Sequence, residues 1–205
     1  MTLVAAPERP RPVLDRERER RLTERQRQIL DQLGTLFEEG FAHLTMADIA
    51  ARVRCSLRTL YTLAPSRDEL VLMVVDRHLW RVGRAAQTAI AGDPPPLDAL
   101  RTYLHAATVA VSRTTEPLAR DISTMPAARD LVDGHREYLC RAAQSLLDAA
   151  VARGDIADVD TAAVARVLAG VGRDLARPEV IPALRTSPKE AADVVVDLIL
   201  KGLAR

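Results

Sequence analysis

Three helix starts crowd the stretch TMADIAARVRCSLRTLYTLAPSRDEL, residues 45–70. Thr45 with Asp48 makes a shortened capping box, and Ser66 with Glu69 opens a longer helix. Ser56 stands between them as a further N-cap, and Pro65 stops whatever Ser56 begins. So little chain separates these signals that only two very short helices, a tight turn between them and then a longer helix can satisfy them. Apolar residues fall where such helices need them. Ile49, Ala50 and Val53 serve the first, Leu60 and Leu63 the second, and Leu70, Val74, Leu79 and Val82 the third, which runs to about residue 90. Upstream, the Thr23–Gln26 capping box opens a helix with Ile29, Leu33, Leu36 and Phe37 on one side, and Gly40 is its stop. A full helix followed by two short ones joined by three or four residues is a helix-turn-helix pattern.

The rest of the chain reads as helices too: about 97–113, 116–123, 127–153, 160–176 and 188–203. Pro126 suits a first helical position, and Ser187-Pro188-Lys189-Glu190 combines a cap, an N1 proline and a capping-box glutamate. Gly154 and Asp155 end the longest helix. Apolar residues make up 48% of the 205, mostly Ala, Leu and Val, and aromatics only 3%, so β-branched strand signals are scarce. The expected fold is all-α with about nine helices. A three-helix N-terminal domain (22–67) precedes a helical C-terminal domain (68–205), and residues 1–21 form an arginine-rich arm expected to be disordered. AGDPPP (91–96) is the clearest linker.

Residues 1–67 hold 12 arginines against 9 acidic residues, whereas 68–205 hold 17 basic against 19 acidic residues, so a mildly basic front precedes a mildly acidic rear. Cys55 and Cys140 form no CxxC and no disulfide framework; Cys55 reads as a small hydrophobe in the turn. Without an apolar run long enough for a bilayer or a signal peptide, the expectation is a soluble, cytoplasmic protein that meets no membrane. The four histidines (His43, His78, His105, His135) are scattered without metal-ligand spacing. There is no GxSxG, no P-loop and no glycine-rich dinucleotide turn. These absences argue against an enzyme and imply no cofactor and no metal.

The helix capped by Ser56 has an unusual outer face. Leu57, Arg58, Tyr61 and Thr62 share one side, opposite Leu60 and Leu63. A cation near a helix N-terminus opposes the macrodipole, so Arg58 and, in the turn before it, Arg54 imply an external anion. A cation, a phenol, a hydroxyl and an apolar group together suit a DNA major groove. Arg58 can reach a guanine edge or a phosphate, and Leu57 a thymine methyl. Thr45, Thr59 and Tyr61 are better placed for phosphate oxygens, and the helix N-termini at Thr45 and Ser56 can present N–H groups to them. The arm from Arg9 to Arg21 reads as a solvated tail, because Glu17 and Glu19 offset part of its charge.

The segment LTMADIAARVRCSLRTLYTLAPSRDEL (44–70) resembles the DNA-binding region of the TetR family of bacterial regulators, through Thr45, Asp48-Ile49-Ala50, Ser56, Thr59-Leu60-Tyr61 and Ser66-Arg67-Asp68-Glu69-Leu70. Phe37 and Gly40 fit that family's first helix. The resemblance is specific over about residues 24–71; beyond them it rests on helix order and length. It implies a transcriptional regulator, most simply a repressor released from palindromic double-stranded operator DNA by a small, largely apolar effector. The DNA-contacting set is then Thr45, Arg54, Ser56, Leu57, Arg58, Thr59, Tyr61, Thr62 and Arg67. The effector pocket would draw on Trp80, Tyr103, Thr108, Met125, His135 and Tyr138. A homodimer would form through Val164, Val167, Leu168, Val171 and Leu175 of one helix with Ala192, Val195, Val196, Ile199 and Leu203 of the last, with Gly170 and Gly172 allowing close approach. Alternatives are a DNA-binding regulator without an effector, or a ligand-binding protein with a vestigial head. The chain departs from the family pattern at Arg54, where a glycine is usual, and at Leu63-Ala64, where an aromatic pair is common. The first implies a strained turn; the second implies thinner packing behind the reading helix.

Overall fold

The computed structural model describes residues 10–89, 94–112 and 114–204, and these are helical almost throughout. Ten α-helices follow in order: α1 Arg16–Arg21, α2 Glu24–Glu38, α3 Met46–Arg52, α4 Leu57–Leu63, α5 Arg67–Ala89, α6 Pro96–Ser112, α7 Glu116–Thr124, α8 Pro126–Arg153, α9 Thr161–Leu175 and α10 Pro188–Leu203. A short 3-10 turn, Ile181–Ala183, precedes α10. Among the described residues the one extended pairing is an isolated bridge between Ile156 and Ala204. The expected all-α class is met. Residues 1–9 of the expected arm and 91–93 of the expected linker lie outside the described residues.

The sequence-level start signals are realised as atoms. Thr23, Thr45 and Ser187 each accept from the backbone N–H three residues on, while Gln26, Asp48 and Glu190 reach back to close reciprocal boxes. Ser56 accepts from the Thr59 N–H. Each such cap satisfies donors that a helix terminus would otherwise leave open.

The chain forms two compact units, whose boundaries fall within α5, between α6 and α7, and within α8. The first comprises Pro10–Arg81 with Thr114–Gly134. Its core gathers Ile29, Leu33 and Phe37 of α2, Ile49 and Val53 of the α3 region, Leu60 and Leu63 of α4, and Leu70 and Val74 of α5. Phe37 and Phe41 pack as tilted rings with centroids 5.5 Å apart. Burying each large side chain contributes about 1.5–3 kcal/mol, which is how two one-to-two-turn helices can persist. Leu63 and Ala64 are fully buried, so the missing aromatic pair leaves no exposed gap at these positions.

Two sequence expectations change here. The arm is not disordered over its described part. Asp15 caps α1, Leu14 and Leu22 enter the core at its two ends, and the Val13 N–H donates to Asp76 at 2.8 Å. Arg18 donates to the Leu63 carbonyl, and Arg77 of α5 pairs with Glu19 and Asp31. Single apolar residues flanking a charged hexamer produce no periodic stripe, which is why the pattern missed this helix. In addition, α7 and the first turns of α8 pack in the first unit, whereas the sequence assigned all of 68–205 to a second domain.

The second unit comprises Val82–Arg113 with His135–Arg205. Its core joins Leu100 and Leu104 of α6, Ala143 and Leu147 of α8, Ala165 and Leu168 of α9, and Val196 and Leu200 of α10. Gly172 lets α9 approach α6 closely, since an added Cβ would stand 3.1 Å from the Thr108 methyl.

Candidate nucleic-acid interface

The α3–α4 pair presents the face that the sequence indicated. Leu60 and Leu63 are buried, while Leu57, Arg58, Tyr61 and Thr62 are exposed, Leu57 by 43% and Tyr61 by 54%. Large apolar and aromatic side chains left this open on a unit with a well-filled core stand out. Among the described residues no carboxylate pairs with Arg58. Thr62 donates to the Thr59 carbonyl at 2.6 Å, and the Thr59 and Ser56 hydroxyls lie 2.8 Å apart, so these short side chains are held in place.

The two helix starts differ electrostatically. At α3, Asp48 accepts from both the N–H and the hydroxyl of Thr45, and these bonds hold its carboxyl below the usual range. The Thr45 end thus already carries a negative partner. At α4 the first turn holds no acid, and Arg58 sits in it instead.

Arg54 adopts a left-handed conformation, φ 51°, the only described non-glycine residue with positive φ. The strained turn inferred from its replacing glycine is present. Its carbonyl accepts from Arg25 of α2 at 3.2 Å, which brings a further guanidinium to the turn before α4. Burial pushes the neighbouring Cys55 thiol up, with Arg25 opposing, and Cys55 packs partly against the core as expected of a small hydrophobe. Sequence reasoning missed Arg25, along with Gln26, whose amide reaches the Thr62 hydroxyl at 3.5 Å. Both stand on α2, two helices earlier, so no local pattern links them to α4.

Arg67 is turned toward its own unit. Its guanidinium is engaged inside the unit: Nε donates to the Leu44 carbonyl at 2.6 Å, and an Nη donates to Phe41 and Ala42 carbonyls at 2.6 and 3.1 Å. It also lies 5.9 Å from the Phe41 ring centroid. A cation with these acceptors holds the α2–α3 loop, and its remaining Nη pairs with Asp68 at 2.9 Å.

Of the effector candidates, Trp80 and Met125 belong to the first unit, and Tyr103, Thr108, His135 and Tyr138 to the second. Tyr103 and Tyr138 are both buried, and burial, with Tyr138 nearby, pushes the Tyr103 phenol upward. Thr108 is buried, and its hydroxyl bridges the His105 carbonyl and Asp193 at 2.9 Å each.

The dimer candidates also separate. Val167 is 58% exposed, and Val164, Val171, Leu175, Val195, Ile199 and Leu203 are half-buried. Leu168, Ala192 and Val196 face their own core and leave the candidate face. In their place come Val194 and Leu198, 58% and 63% exposed, which the sequence reading passed over. Val195 and Val167 line an open groove with Val171 and Leu175.

No family model matches the chain, and no curated protein sequence does. Solved structures match nearly its whole length. A TetR transcription regulator from Haloarcula marismortui is 19% identical, with a TM-score of 0.75 over 90% of this chain and 100% of that one. The TetR-family regulator PfmR from Thermus thermophilus is 24% identical, with a TM-score of 0.62 over 86% and 99%. A TetR regulator from Streptomyces coelicolor is 24% identical, with a TM-score of 0.59 over 87% and 98%. With capped α3 and α4 following α2, and six further helices behind them, this chain has the fold of the TetR-family transcriptional regulators.

Proposed function

We propose that the chain is a member of the TetR family and a dimeric, sequence-specific DNA-binding regulator, a repressor released from a palindromic operator by a small, largely apolar effector. The observation that carries this reading is the outer face of α4, where exposed Leu57, Arg58, Tyr61 and Thr62 stand on a helix whose other side is fully buried. Arg58 reads a base edge or phosphate, Leu57 a thymine methyl, and Arg54 and Tyr61 the phosphate backbone. Thr45, Ser56 and Thr59 set the register of the two short helices.

The exposed apolar row Val167, Val194 and Leu198 supports association through α9 and α10, giving a four-helix interface about a two-fold axis. Two copies of α4 then read half-sites about one DNA turn apart or slightly more. Effector binding favours a state in which the two reading helices no longer match successive grooves, with α5 carrying the change from its start at the reading head. Linkage requires DNA to weaken effector binding by the same factor. No described helix is long and apolar enough to cross a membrane, and no described cluster of ligating side chains could hold a metal ion.

Selection from a random DNA pool tests the reading. The expected product is a palindrome whose binding falls by at least about tenfold in Arg58→Ala, a loss of the size of one base contact. Failure to enrich any sequence, or unchanged affinity in both Arg58→Ala and Tyr61→Ala, would overturn it.

A further inference from the structure

We propose that Asp121, on α7, is a positioning residue for DNA recognition: its carboxylate holds the α2–α3 loop and thereby sets the orientation of the α3–α4 pair. The inference rests on the DNA-binding reading above. Asp121 Oδ2 accepts from the Phe41 N–H at 2.5 Å and from the Ala42 N–H at 2.7 Å, across some eighty positions of chain. The Thr115 hydroxyl, just ahead of α7, donates to the Glu38 carbonyl at the end of α2. Between these bonds sits Gly40, at φ 95°. A Cβ there would stand 3.1 Å from Asp121 Oδ2 and 3.3 Å from Pro117 Cβ, so the loop lies directly against α7.

The loop's carbonyls are held from elsewhere. Those of Phe41, Ala42 and Leu44 accept from Arg67 of α5. A carboxylate thus binds the loop's N–H groups and a guanidinium its C=O groups, and α3 begins two residues later, at Met46. Charge-assisted bonds of this kind are shorter and stronger than neutral ones. Neither α3 nor α4 exceeds seven residues, so their shared direction depends on how the loop is held. After Met125, α7 passes into α8, whose later turns belong to the second unit. A shift of α7 therefore moves two amides at the root of the reading pair, which gives the effector response a defined endpoint.

Electrostatics and positioning predict opposite signs for the decisive variant. Removing a negative charge from a DNA-binding unit strengthens association with phosphates, whereas releasing the loop weakens recognition of the operator. Full-length wild type, Asp121→Asn and Asp121→Ala are titrated at one salt concentration against the operator that wild type selects and against random-sequence DNA. Circular dichroism establishes that each protein is folded at the titration temperature. The expected result for Asp121→Ala is about tenfold weaker operator binding, with random-sequence binding unchanged or tighter, and faster hydrogen exchange at the Phe41 and Ala42 amides. Asp121→Asn keeps one acceptor oxygen and falls between; if the alanine variant does not fold, the asparagine variant carries the test through the same two readouts. A role in stability alone would lower the melting temperature yet leave the folded variant's operator affinity at or above wild type, and that overturns the proposal. If wild type selects no DNA, the functional reading fails and this inference with it; if wild type selects an operator that the variants bind equally well, this inference alone fails.

Discussion

Replacing Arg54 separates backbone strain from charge at the turn before α4. Arg54 occupies the left-handed region at φ 51°, where a Cβ crowds the following carbonyl. The conformation costs a non-glycine residue about 1–2 kcal/mol, and glycine escapes it. Glycine also gives the unfolded chain more freedom, which returns about 0.4–1 kcal/mol of that gain. Arg54→Gly should therefore be more stable than wild type by about 0.5–1 kcal/mol, whereas Arg54→Ala, which keeps the Cβ, should match wild type. The Arg25 bond to the residue-54 carbonyl is made to backbone and persists in all three proteins. Urea unfolding followed by Trp80 fluorescence, at one protomer concentration, should move the midpoint up by about 0.3–0.5 M in the glycine variant, taking a slope of about 2 kcal/mol/M. DNA binding gives the second readout. If the guanidinium meets a phosphate, both variants lose affinity equally, and the slope of log K against log salt falls by about 0.9 in each half-site. A glycine variant no more stable than the alanine variant would refute the strain argument, whatever the DNA result.

Three further outcomes follow from the geometry. Leu14→Ala should cost about 2 kcal/mol of stability if the arm docks on the first unit, and an unchanged urea midpoint would show that it does not. Burial would raise the Asp193 carboxyl, but the Lys189 and Thr108 bonds and the His105 charge outweigh it and hold it below its ordinary 3.8. Its stabilising contribution is then complete above that value and is lost as pH falls through the lower folded value. Asp193→Asn should accordingly be less stable near neutrality and lose less than wild type in an acid titration of the melting temperature. Leu198→Glu should yield a monomer by sedimentation velocity at micromolar concentration, because it places a charge on the apolar row of α10; a persisting dimer would locate the interface elsewhere.

What could be read from the chain alone followed from interactions between close neighbours in sequence. The Thr23, Thr45, Ser56 and Ser187 caps close over three residues, so each boundary they mark emerges within a residue or two. The α4 face was equally legible, since a seven-residue helix with two core leucines leaves one arrangement. The α10 face was not. VVVDLIL is apolar on nearly every side, and only the packing of Ala192, Val196 and Leu200 into the core shows that Val194 and Leu198 face outward. Arg67 enters the DNA-contacting set only through the family resemblance. Its true partners are carbonyls twenty-odd residues upstream, which no periodicity displays. The anchoring role of Asp121 is hidden for the same reason, since its partners are the Phe41 and Ala42 amides some eighty positions upstream.

The electrostatics of the first unit sharpen what α4 is for. Helices α2, α3, α5 and α7 each begin with an acid in the first turn (Glu24, Asp48, Asp68 with Glu69, and Glu116), which complements the positive end of the helix. Helix α4 has none and carries Arg58 there, with left-handed Arg54 and the bound Arg25 guanidinium close by. Within this unit, then, the rule that stabilises a helix start is followed at α2, α3, α5 and α7, unmet at α8, and reversed at α4, where a cation takes the acid's place. A local rule broken beside a strained residue marks a place where stability has been given up for something outside the chain. On the proposed reading that outside component is the phosphate backbone of DNA. Arg54 then has a reason to stand where glycine would be easier, and the glycine variant should gain stability and lose affinity together.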